Sequence, residues 1–295
     1  MEQPLLVLVG ATASGKSRLA LPLARALGAE VLSLDSMLLY RGMDIGTDKP
    51  TDFGGVPHHG IDLLDPSERF DLRRYLEYAD RTIAAIAKRG RRVLVVGGTG
   101  LYLMGLLKGV FGGVARDPAL RTRLAGEPSA ALHARLSQVD PESAERFHPN
   151  DRRRITRALE VYEATGLPLG SLQTQFGGPD RYPARIAGLA LPRALLASRV
   201  EERVDAMFVR GLVAEVASLD LGPTAGQAVG YKEVRAHLDG AHDLAEARRL
   251  VLRNTLRLAR RQATWFRRFP VRWFDAGAER NADAILDFYR GRTIE

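Results

Sequence analysis

The sequence predicts an α/β fold, a parallel sheet covered on both faces and interrupted by a helical insertion. Three observations predict it. Apolar, β-prone runs alternate with helical stretches over residues 5 to about 110. The first of these runs leads through a glycine-rich turn into a helix. From Asp117 to about Asp180 there are helical stretches and no convincing strand, after which an apolar run returns the chain to the sheet.

The elements follow in order. Leu5-Leu6-Val7-Leu8-Val9 is short and apolar, as a buried parallel strand should be. Gly10-Ala11-Thr12-Ala13-Ser14-Gly15-Lys16-Ser17 comes next, and the helix from Arg18 to Leu27 sets Leu19, Leu23, Ala26 and Leu27 at helical spacing. Strand, turn and helix together mark a phosphate-binding loop. Gly10 and Gly15 let the backbone curl so that successive N–H groups face one anion. Lys16 adds a mobile charge, and the Ser17 hydroxyl can ligate Mg²⁺ beside the phosphates.

A second strand, Glu30 to Leu34, ends in Asp35 and Ser36. A third, Arg92 to Val96, ends in Gly97-Gly98-Thr99-Gly100, without the carboxylate that nucleotide-hydrolysing enzymes place there for Mg²⁺. Both ends should open onto the crevice that holds the loop's ligand. A phosphate cradle with one carboxylate and one hydroxyl suits activation of an acceptor better than hydrolysis. Pro118, Pro128, Pro141, Pro149 and Pro168 cut the middle region into short helices. Arg185 to Leu191 reads as a strand, Arg193 to Leu219 as a long helix, and Asp243 to about Phe269 as another. Residues 1–116 and 183–295 are thus expected to form the core, and 117–182 the insertion.

Composition narrows the class. The 295 residues, 45% hydrophobic, can bury a sizeable core, and the absence of Cys excludes disulfides, thiolate zinc sites and Cys nucleophiles. No apolar run approaches the ~20 residues of a membrane span. The first strand lies so close to Met1 that no targeting segment is expected, and the protein should be soluble and cytoplasmic. A net charge of +8 and a pI near 10.0 favour a polyanionic partner.

Arg152, Arg153, Arg154 and Arg157 form one basic cluster, and Arg248 to Arg268 contains a second. On a helix Arg249, Arg253, Arg257 and Arg260 line one face, beside an apolar stripe of Leu252, Leu256, Ala259, Ala263 and Phe266. Such a helix suits tracking of a phosphate backbone better than it suits a merely solvated basic face.

Four further strings carry a resemblance. They are Asp35-Ser36-Met37-Leu38-Leu39-Tyr40-Arg41-Gly42-Met43-Asp44-Ile45-Gly46-Thr47; Gly97-Gly98-Thr99-Gly100-Leu101-Tyr102; His148-Pro149-Asn150-Asp151 with Arg157-Ala158-Leu159-Glu160-Val161; and Gln227-Ala228-Val229-Gly230-Tyr231-Lys232-Glu233. With the N-terminal loop, their order and spacing resemble the bacterial tRNA dimethylallyltransferase family, from the first strand to Arg268.

The resemblance implies a kinase-like core with a phosphate loop, and an insertion domain that grips the anticodon stem. It implies transfer of a dimethylallyl group from dimethylallyl diphosphate to the exocyclic amine of the adenosine 3′ of the anticodon in tRNA. That base would be flipped from its stack. Asp35 matches the general base, with helix capping as its bland alternative. Thr99 matches a Thr at the channel mouth, Gly10 to Ser17 bind the diphosphate with Mg²⁺ on Ser17, and Arg203 matches an Arg aimed at the diphosphate. An exposed Arg203 paired with a neighbour such as Glu202 is the alternative.

The tRNA contacts implied are Asp35, Ser36, Met37, Leu38, Thr99, Arg121, Arg153, Arg154, Ile155, Thr156 and Arg157, in a chain expected to act as a monomer. Gln227 to Glu233 has no chemical role in this reading, and His58-His59 is read as a structural loop rather than a metal site. Two departures stand out: Ala11 replaces the family's usual Pro, and Gly109 to Ala115 is unusually Gly-rich. The competing functions are a nucleotide or small-molecule kinase using the same loop, and an RNA-binding module in which the loop would be idle.

Overall fold

The structure is a computed structural model describing residues 3–110, 114, 117–173, 178–278 and 281–292. Most of the Gly-rich segment noted above therefore lies outside the described residues. Two compact units make up the chain: Met1–Leu107 with Tyr182–Glu295, and Lys108–Arg181.

The first unit is built on six parallel strands, β1 (Leu5–Gly10), β2 (Ala29–Leu34), β3 (His58–His59), β4 (Arg92–Gly97), β5 (Ala184–Ala190) and β6 (Arg272–Asp275), in the order β3-β2-β4-β1-β5-β6. The chain builds outward from β1 to β2 on one side and to β5 and β6 on the other. Strand order therefore reverses at β1, and a crevice opens at the C-terminal strand ends there. Those ends carry the phosphate loop after β1, Asp35 after β2 and Thr99 after β4.

Period-two alternation divides β1 between two cores. Leu5, Val7 and Val9 face one side, where α2 (Leu72–Lys88) supplies Tyr75 and Ile83, and α3 (Gly100–Lys108) supplies Leu103 and Leu106. Leu6 and Leu8 face the other side, against Leu23 and Leu27 of α1 (Lys16–Leu27). Each such buried aliphatic side chain stabilises the fold by about 1.5–3 kcal/mol.

The second unit is helical: α4 (Pro118–Ala125), α5 (Ser129–Val139), α6 (Pro141–Arg146), α7 (Arg152–Thr165) and α8 (Leu169–Leu172). The prolines act as helix starters: Pro118 and Pro141 occupy the first turns of α4 and α6. Asp117, Asp140 and Asp151 cap α4, α6 and α7 through their carboxylates. The unit starts at Lys108, nine residues earlier than the sequence reading placed it, because α3 ends there.

After β5 come α9 (Arg193–Val209), α10 (Leu212–Ser218), α11 (Tyr231–Leu238), α12 (Leu244–Phe266) and α13 (Asn281–Arg290). The single helix expected from Arg193 to Leu219 is in fact two. Gly211, at φ 98°, turns the chain left-handed between α9 and α10. On α12 the buried line is Ala247, Val251, Thr255, Ala259 and Phe266. Leu252 and Leu256 are only partly buried, against α9 residues, and Ala263 is exposed, which corrects the predicted apolar stripe. The arginine face stands as expected, with Arg249, Arg253, Arg257 and Arg260 all exposed.

Candidate active site

The loop is tightly constrained. A Cβ at Gly10 would stand 2.7 Å from Ser14 Oγ and 3.1 Å from the Leu189 carbonyl, so only glycine fits. Ala13 (φ 61°) and Gly15 (φ 91°) are left-handed, which gathers the loop's N–H groups into a concave nest at the start of α1. The N–H groups of that first turn have no partners within the helix. Lys16 Nζ donates 2.7 Å to the Ala11 carbonyl, closing the loop. Burial and the nearby Arg203 charge pull the Lys16 ammonium down to about 8, while Asp35 partly restores it. Ser14 Oγ is buried without a hydrogen bond among the described residues, and the Ser17 hydroxyl is open to solvent.

Asp35 Oδ1 accepts the Met37 N–H at 2.8 Å in an Asx turn; residues 36–39 form a bend and turn rather than a helix, so the carboxylate caps no helix. The Thr99 hydroxyl accepts the Ser36 N–H at 3.3 Å, linking the ends of β2 and β4. Thr99 starts α3 through its carbonyl, which accepts from Tyr102 and Leu103. Asp35 to Leu38 are all half-buried at the strand end.

The glycines flanking Thr99 are required by close approach. A side chain at Gly97 would strike the Leu34 carbonyl, one at Gly98 the Gln262 amide, and one at Gly100 would lie 2.7 Å from Trp265 Cβ. Gln262, on α12, also accepts the Thr12 N–H at 2.8 Å through Oε1. Sequence reasoning missed this residue, because on an arginine-rich helix a lone Gln carries no signal.

Arg203 comes to the site from α9, and Glu202 is not its partner. Its Nη2 donates to the Thr47 carbonyl at 3.0 Å, its Nη1 lies 3.4 Å from Asp48, and its Nε is buried with no acceptor among the described residues. Burial lowers its basicity, and the Asp48 and Asp35 charges oppose that. Asp48 is a second contributor that the sequence did not single out.

In the helical unit Arg153 is exposed, with no ion pair among the described residues. Arg154 pairs loosely with Asp151 at 3.4 Å and lies over Phe147. Arg121 and Arg157, the other two arginines expected to contact tRNA, are engaged within the unit. Both bind Glu160, which is wholly buried and also accepts the Asp117 N–H. Burial alone would raise the Glu160 carboxyl, but the bonds from Arg121 and Arg157 hold it at about 2. Ile155 is fully buried, so its side chain serves the core rather than a partner, and Thr156 is half-buried.

His58 and His59 form β3 at the sheet edge rather than a loop. The His58 ring meets the Val56 carbonyl at 2.8 Å and the His59 ring meets Glu30 at 2.7 Å.

A nest after β1, an acid after β2 and a hydroxyl after β4 place the chain in the phosphate-loop α/β class. The comparisons narrow that class. The IPP transferase model matches residues 38–269, and the isopentenyl transferase model residues 3–54. The chain belongs to the IPP transferase family. It is 46% identical over 296 residues to tRNA dimethylallyltransferase 1 of Trichlorobacter lovleyi, covering 96% of each chain. It is 48% identical over 287 residues to tRNA dimethylallyltransferase of Symbiobacterium thermophilum, covering 93% of this chain and 90% of that one. The tRNA isopentenylpyrophosphate transferase of Bacillus halodurans matches with a TM-score of 0.74 and 38% identity, over 98% of this chain and 96% of the other. A eukaryotic dimethylallyltransferase acting on tRNA matches with a TM-score of 0.82 and 27% identity, over 100% of this chain and 81% of the other.

Proposed function

We propose that this chain transfers the dimethylallyl group of dimethylallyl diphosphate to the exocyclic amine of the adenosine 3′ of the anticodon in tRNA, releasing diphosphate. The observation that carries the reading is the pairing at the crevice. Asp35 and Thr99 sit at adjacent strand ends joined by the Ser36–Thr99 bond, beside a nest suited to phosphates.

An adenine amine is a weak nucleophile because its lone pair is delocalised into the ring. Asp35 accepts its hydrogen bond and then its proton as the new nitrogen–carbon bond forms. The allylic carbon–oxygen bond breaks, and its electron pair leaves with the diphosphate. Loop N–H groups, Lys16 and Arg203 meet that charge where it develops. The Thr99 hydroxyl, already fixed by Ser36, orients the incoming nucleotide.

A Mg²⁺ ion fits the donor set: such ions use one or two protein oxygens plus substrate phosphates, and the open Ser17 hydroxyl supplies one. When bound, the ion would neutralise charge on the departing diphosphate. The exposed Arg153 and Arg154 would hold backbone phosphates without reading sequence. No helix among the described residues is long and apolar enough to cross a membrane, and a tRNA substrate supports a cytoplasmic site of action.

Incubation with labelled dimethylallyl diphosphate and unmodified tRNA tests the reading. Labelled tRNA and an equal amount of diphosphate are expected. ATP-dependent phosphorylation of an acceptor without prenyl transfer would replace it with the kinase reading.

A further inference from the structure

Two strings of the sequence, Asp44-Ile45-Gly46-Thr47 and Gly230-Tyr231-Lys232-Glu233, have no part in the chemistry above, yet the structure joins them through one carboxylate. Glu215, on α10, accepts three consecutive backbone N–H groups: Asp44 at 3.0 Å, Ile45 at 2.6 Å and Gly46 at 3.1 Å. The Tyr231 hydroxyl donates to the same carboxylate at 2.6 Å. The fully buried Tyr231 ring packs so closely on Gly46 that a side chain there would collide with it.

Beyond Gly46 the chain makes a turn that few residues tolerate. Asp48 is left-handed at φ 55°, with its N–H on the Ile45 carbonyl at 3.1 Å. Lys49 closes the far side. Its buried ammonium binds Asp44, Asp62 and the Tyr40 carbonyl. The loop is thus pinned at both ends, and its apex presents the Thr47 carbonyl and the Asp48 carboxylate to Arg203.

We infer that Glu215 and Tyr231 are positioning residues for Arg203: they fix the 44–48 loop so that its apex holds the guanidinium beside the phosphate nest, with Nε free to donate. This rests on the reading of Arg203 as a diphosphate ligand. A guanidinium engaged at Nη1 and Nη2 but not at Nε has a preset direction for its remaining N–H, which lowers the ordering cost of meeting an anion.

The test uses the intact enzyme, with inorganic diphosphate as competitive probe and dimethylallyl diphosphate and tRNA as substrates. Glu215→Gln disturbs the N–H cluster, and Tyr231→Phe removes one bond while keeping the ring on Gly46. Arg203→Ala, alone and combined with each, completes the cycle. Glu215→Gln is expected to weaken inorganic diphosphate binding about tenfold, the scale of one charge-assisted hydrogen bond, and Tyr231→Phe less. KM for tRNA should hold, and neither change should matter further once Arg203 is Ala. Additive losses in the Arg203→Ala background, or equal losses for tRNA and diphosphate, overturn the inference. If Arg203→Ala alone leaves diphosphate binding intact, the reading of Arg203 itself falls instead.

Discussion

At the scale of single residues the proposed reaction assigns charge to the loop, Lys16 and Arg203 and the proton to Asp35, and each assignment makes its own prediction. Asp35→Ala is expected to cut kcat about 10²–10⁴-fold, the usual worth of a general base, while the affinities for both substrates persist. Single-turnover transfer with binding measured separately checks this, and unchanged turnover would remove Asp35 from the role. Lys16 makes a pH prediction. Its ammonium is pulled down to about 8 by burial, with the Arg203 charge adding to the effect, so the free enzyme loses that cation as pH rises through this value. If Lys16 holds the diphosphate as proposed, affinity should be full well below pH 8 and decline as pH rises through it. KM for dimethylallyl diphosphate should climb from about pH 8, and Lys16→Arg should move that rise upward. A KM flat to pH 10 would contradict it.

At the scale of elements, arginines that look alike in sequence have separate duties. Arg153 and Arg154 face solvent on α7, whereas Arg121 and Arg157 are tied to a buried carboxylate. Replacing Arg153 and Arg154 together by Ala should weaken tRNA binding and reduce its salt slope by about 1 to 2, as expected for two phosphate contacts. The melting temperature should stay near that of the unsubstituted protein. Glu160→Gln should do the opposite, destabilising the helical unit by about 2–4 kcal/mol because two arginines lose their partner. The same carboxylate sets an acid limit. Its folded value lies near 2, below that of an unfolded Glu, so its contribution is full above about pH 4.5 and is lost as pH falls toward 2. Acid titration of unfolding should show that loss in the parent and not in Glu160→Gln.

Across the whole molecule, the legible parts were those with strong local pattern. The four apolar strands, the phosphate loop and the basic face of α12 are written in periodicity and composition, and Asp35 and Thr99 stand out because they end strands. β3 was hidden because it has only two residues, both His, and lies at the sheet edge, paired only with β2. β6 is a four-residue strand, mostly exposed, whose pairing with β5 depends on long-range contact. The break at Gly211 was missed because apolar spacing continues across it. The ties of Arg121 and Arg157 to the buried Glu160 were not foreseen: Arg121 is thirty-nine residues from it and meets it only in the folded unit, and Arg157, three residues from it on the same helix, gives no sign in sequence that the carboxylate is buried. Gln262, Asp48 and Glu215 share this cause: each engages a group far along the chain, a backbone N–H for Gln262 and Glu215 and the Arg203 guanidinium for Asp48.

The three glycines around Thr99 differ in whether evolution could ever trade them. Gly98 is crowded by the tip of Gln262, a flexible side chain, so a shorter residue at 262 could serve as a second-site suppressor of Gly98→Ala. Gly100 faces the Cβ of Trp265 at 2.7 Å, which every residue but glycine carries, so rescue would demand glycine at 265 and with it loss of the ring that packs under Arg268. Gly97 is crowded by the main chain of Leu34, which every residue type shares. No partner change can make room there, so a suppressor screen begun from Gly97→Ala should return only reversion at that codon.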